Sequence, residues 1–154
     1  MEKNKLLFTQ LLSSYFLLGG TICLIYFISQ SGFIGILSTL MPSLITLIIL
    51  LFFIFSGLIG LLSKNVKVSK GLLYSCLIIQ SIQVVIFGFT FKNYFGPYLG
   101  IGFSESPELE AVFSFRSITY FLGNGLKQGS SEVSLVINLV PLSILVMFYK
   151  FFSN

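Results

Sequence analysis

From Leu6 to Ser63 the chain carries no charged side chain. A helix needs about 20 apolar residues to cross a bilayer, so this run is long enough for two crossings. Two more charge-free runs, Gly71–Phe91 and Val133–Tyr149, are each long enough for one. Charged residues make up 9% of the chain, against roughly 25% in a soluble domain. The expectation is an all-α integral membrane protein, a four-transmembrane-helix bundle forming one membrane domain over residues 1–154. Its spans are placed at 6–30, 33–63, 71–91 and 133–149, with Ser31-Gly32 as the turn between the first two. Residues 33–40 either extend the second span as a tilted helix or lie along the interface, with the break at Pro42.

Charge gives the orientation. Lys3, Lys5, Lys64, Lys67, Lys70 and Lys150 fall on one side of this arrangement with only Glu2 against them. Lys92, Arg116 and Lys127 fall on the other with Glu105, Glu108, Glu110 and Glu132. The positive-inside rule then puts both termini in the cytoplasm of a multi-pass cell-membrane protein, read as a bacterial inner membrane. Lys64, Lys67 and Lys70 form a short inner loop suited to anionic lipid or a cytoplasmic partner. Topology accounts for the net charge of +4, so no nucleic-acid partner is expected.

Residues 92–132 are the one long segment between charge-free runs. Within it Ser106-Pro107-Glu108 has the form of a helix start, with a serine cap and proline in the first turn. Gly123-Asn124-Gly125 has the form of a stop. The segment predicts a short amphipathic helix over about 107–122, lying at the outer interface. Ahead of it, "NYFGPYLGIGF" mixes glycine with aromatic residues. Aromatic side chains suit head-group depth, and small residues let another backbone approach closely. Tyr94, Phe95, Gly96, Tyr98, Gly100 and Gly102 are the candidate partner-docking residues.

No ionisable acid or base lies inside a predicted span, although proton relays and many transporter sites need one. The polar groups that remain there are amides and hydroxyls. Thr46, Gln80, Gln83 and Asn138 are expected either to join helices through hydrogen bonds or to line an uncharged pore. Ser56 and Gly60 have the spacing of a close helix–helix contact. Counted at about 1.5 Å per residue, Cys23 and Cys76 come out at different depths, too far apart for one disulfide.

The chain contains no His and no Asp: all five of its acidic residues are glutamates. Most metal sites, acid–base pairs and triads are built from those residues. Catalytic, metal and cofactor sites are therefore not expected, and the chain reads as a non-enzyme. Two functions remain. One is a non-catalytic subunit or scaffold of a larger membrane complex, binding other membrane subunits through its spans and the extracytoplasmic loop. The other is a homo-oligomeric channel or membrane-perturbing effector of the defence or toxin type, with a polar, uncharged lining.

Overall fold

Two helices, α1 (Glu2–Ser38) and α2 (Leu40–Leu62), are built from the long charge-free run. In the computed structural model they pair antiparallel, because contacts early in α1 fall late in α2. The model describes residues 2–38, 40–63, 66–87, 89–105, 109–126 and 132–153, with side chains undescribed at 2–3, 30–42, 66, 109, 117–126 and 153. Glycine sets how closely the pair approaches. A Cβ on Gly57 would stand 2.6 Å from the Leu17 nitrogen and the Ser13 carbonyl oxygen, and one on Gly60 would strike the Ser13 hydroxyl. Gly60 of the expected Ser56/Gly60 pair is at this contact, Gly57 joins it, and Ser56 is buried as well.

Within these helices Asn4–Ser29 and Ser43–Leu62 are long and apolar enough to cross a membrane. Only 28% and 33% of their apolar windows are buried inside the chain, so most of each lies outside the protein's own core. Leu11, Leu18, Ile22 and Ile25 of α1 and Ile48 and Phe55 of α2 are among the large apolar side chains left exposed.

The four-helix bundle is not what forms. The third charge-free run gives α3 (Val66–Ser81) and then β1 (Ile82–Ile86). The segment expected to hold an outer helix gives β2 (Phe89–Glu105) and β3 (Leu109–Leu126). The fourth run gives β4 (Val133–Asn138) and then α4 (Leu139–Ser153). The Ser31-Gly32 turn is also absent, since α1 runs helical through Ser38. The expected helix start at 106–108 and the loop lysine Lys64 lie outside the described residues.

The physical reason is period. "IQVVI" and "VSLVIN" are rich in β-branched residues, which favour strands. Their burial alternates residue by residue, with Gln83, Val85, Ser134, Val136 and Asn138 buried and Ile82, Ile86, Leu135 and Ile137 exposed. A total of apolar residues cannot distinguish that pattern from a helix; the period of two can.

The sheet is antiparallel throughout; β1, β4 and β2 pair in a three-strand ring, and β3 flanks β2 as an edge strand. β3 follows one edge of β2 along its whole length. On the other edge β2 pairs first with β1, at Phe89–Lys92, and later with β4, at Gly100–Glu105. β1 and β4 also pair with each other. Three antiparallel pairings in a ring would return a strand reversed, so β2 must change direction between its two halves. It does so at a register shift between Gly96 and Tyr98, where Gly96 has φ +91° and Pro97 interrupts the ladder. Glycine at a bulge permits that bend.

One aromatic side chain joins sheet to helices. Phe95 packs among Tyr15, Phe16 and Phe53, and its ring fills the space that a Cβ on Gly19 would need. The Tyr15 hydroxyl donates to the Phe95 carbonyl. Asn138 makes the second junction: its Oδ1 accepts from Val140 N (3.2 Å), capping α4, and from Leu99 N (3.1 Å) of β2.

Candidate functional site

The bent sheet encloses a cup of about 260 Å³. Each strand presents alternate residues to it. β2 contributes Lys92, Tyr94, Tyr98 and Ser104; β3 contributes Val112, Ser114 and Arg116. β1 contributes Gln83, β4 contributes Ser134 and Val136, and Glu132 stands just before β4. Gly100 and Gly102 fall in register between them, opposite Ser114 and Val112. A Cβ on Gly102 would lie 2.0 Å from the Leu135 carbonyl oxygen, so the crossing of β2 over β4 requires glycine there.

Tyr94 and Tyr98 stack with ring centroids 4.5 Å apart. The Tyr98 hydroxyl donates to Gln83 Oε1 at 3.3 Å. This turns the other end of the amide, Nε2, away from Tyr98, and Nε2 has no hydrogen-bond partner. Gln83 is only 4% exposed, so an amide donor is held unsatisfied in the wall of a polar cup. Burial pushes the Tyr94 phenol above its ordinary value; neighbouring Tyr98 adds to this and the Arg116 cation opposes it. Tyr94 is therefore a neutral hydroxyl across the physiological range.

The outside of the same sheet is apolar. Phe113, Phe115 and Phe103 are 71%, 67% and 59% exposed, and Ile101, Leu135 and Ile137 lie beside them exposed as well. This is the reverse of the ordinary half-buried sheet, which turns apolar residues inward and polar residues to water.

The proposed docking run is mostly interior. Tyr94 and Tyr98 line the cup, Phe95 lies in the helical core, and Gly96 sits under the Tyr15 hydroxyl. Gly100 is buried and Gly102 half-buried within the sheet. The four polar residues expected within spans are not gathered along one path. Gln83 faces the cup, and Asn138 caps α4. Thr46 is buried in α2. Gln80 lines a separate space of about 90 Å³ with Leu12, Tyr15 and Pro141. Cys23 and Cys76 are buried free thiols.

The basic end is well defined. The Lys5 and Lys70 ammonium groups lie 5.8 and 5.1 Å from the Phe152 ring centroid, and Lys70 also lies over Tyr74. These contacts bring the start of α1, the start of α3 and the end of α4 to one end of the molecule, with Lys67 exposed nearby in sequence. In the sequence Lys92, Arg116 and Glu132 stand out only as outer-side charge, and Ser104, Ser114 and Ser134 do not stand out. Their signal is the alternation of "VFSFRS", "GIGFSE" and "EVSLVIN", polar or small on one parity and large apolar on the other. Comparison with known protein families, with curated proteins and with solved structures finds no match to this chain.

Proposed function

We propose that the chain is a non-catalytic, multi-pass membrane protein that works by binding, as a subunit or scaffold of a larger membrane assembly, with its bent sheet seated in the outer leaflet. The observation that carries this reading is the inverted polarity of the sheet: apolar outside, polar inside. A β-surface that faces lipid turns its apolar residues outward and its polar residues inward, and the outer edge of β3 is left for a partner strand or helix to cover.

Helix length supports the same placement. α3 has 16 residues and α4 has 15, or about 24 and 22 Å at 1.5 Å per residue. A hydrocarbon core of about 30 Å is longer than either, so each hands over to a strand before the far interface. The lysines and aromatics gathered at the opposite end suit a cytoplasmic face with both termini there. Partner subunits in such an assembly are themselves membrane spans, and they meet the exposed faces of α1, α2 and the sheet in place of lipid. The absence of His and Asp from the sequence supports binding over catalysis.

Extraction in a mild detergent, followed by native mass measurement and identification of co-purifying chains, tests the subunit reading. A stoichiometric assembly with other membrane proteins is expected. A symmetric assembly of this chain alone, with conductance in planar bilayers, would replace it with the channel reading.

A further inference from the structure

We propose that the polar cup is a binding site for one small oxyanion, a phosphate-type group, whose oxygens accept from the Gln83 amide and from Arg116, both of which line it. The Gln83 Nε2 group is buried, points away from Tyr98 and has no partner, and a buried donor left unsatisfied is unfavourable until an acceptor reaches it. Arg116 is exposed where it lines the cup, and a guanidinium recognises phosphate oxygens through paired N–H donors. Lys92 and Glu132 also line the cup. Two cations against one carboxylate leave the lining cationic by one charge. The volume of about 260 Å³ is below the roughly 300–1,000 Å³ of sites for drug-sized ligands, which suits a head group or a small phosphorylated molecule. Gly100 makes room for the Tyr98 phenol, which lies where a Cβ would stand, and Gly102 makes room for the β4 backbone.

The inference goes beyond the assembly reading and does not depend on it, because binding is measured on the isolated chain. The full chain in phosphatidylcholine nanodiscs is titrated with inorganic phosphate and with glycerol phosphate at constant ionic strength, following thermal unfolding. A second set of nanodiscs contains phosphatidylglycerol, and native mass spectrometry counts retained lipid. A ligand bound only by the folded state raises Tm with concentration. We expect a saturable rise with at least one probe. Arg116→Gln and Gln83→Leu should each weaken it tenfold or more, and Lys150→Gln, at the other end of the molecule, should leave it unchanged.

A response to the soluble phosphates identifies a soluble ligand, and a response confined to phosphatidylglycerol, with one lipid retained, identifies a lipid head group. No response to any probe overturns the proposal. So does a response that survives Arg116→Gln, which keeps the test decisive even where Gln83→Leu disturbs folding.

Discussion

The helical half and the sheet half present the same exterior and opposite interiors. Outside, both expose Leu, Ile and Phe. Inside, the helices enclose Phe16, Leu50, Phe53, Leu73, Leu77 and Phe148, whereas the sheet sets amides, hydroxyls and charges around a small cluster of Tyr94, Tyr98, Val112 and Val136. On the proposed placement the shared exterior reflects a shared solvent. The interiors differ: packed side chains fill the helical half, and the sheet half holds an open cup. In lipid an apolar surface gains little by burial against another apolar surface, so tight packing and small residues must hold the helices together. That is why Gly57 and Gly60 stand at the α1–α2 contact.

The comparison breaks first at Phe95, which belongs to the sheet by chain and to the helical core by contact. Phe95→Ala removes a ring packed against Tyr15, Phe16 and Phe53 and is expected to destabilise the protein by about 3–5 kcal/mol. Unfolding by SDS titration in mixed micelles measures it. Gly102→Ala comes next, at about 3 kcal/mol, because the neighbour its Cβ meets is backbone and cannot swing aside. Its loss should fall on the sheet, so circular dichroism should retain helix while strand signal declines.

Asn138→Ala should cost about 2 kcal/mol in the same titration, joining the loss of a helix cap to an orphaned Leu99 N–H. The smallest effect is one of pH. The Tyr94 phenol is raised above its ordinary 10.0, so its neutral form is favoured in the folded state. Its contribution to stability is complete below pH 10 and is lost as pH rises through the raised folded value. Stability measured across this alkaline range should fall, and should fall less in Tyr94→Phe.

The two long helices were legible because length and apolarity alone specify them. The sheet was not, because its strands are as apolar as spans, and a charge-free run ending in "IQVVIFGFTF" satisfies a length criterion whatever its period. The helix expected over about 107–122 failed for a related reason: a count of apolar residues does not give the period, and Leu109–Leu126 is strand. Gln83 was picked out as a polar residue in an apolar run, and it faces the cup. Arg116 and Lys92 were counted as outer-side charge, because only the sheet topology brings them to the same cavity as Gln83. The Gly-aromatic run marked an unusual place in the chain, but its glycines and Phe95 are used within this fold.

The proposed placement puts the outside of the sheet in lipid. The chain contains no Trp, so single tryptophans can report depth without background. Phe103→Trp and Phe113→Trp should be quenched by brominated acyl chains as strongly as Leu18→Trp on α1, and should be protected from aqueous acrylamide. Strong quenching by acrylamide with no response to brominated lipid would place the sheet in water and contradict the account.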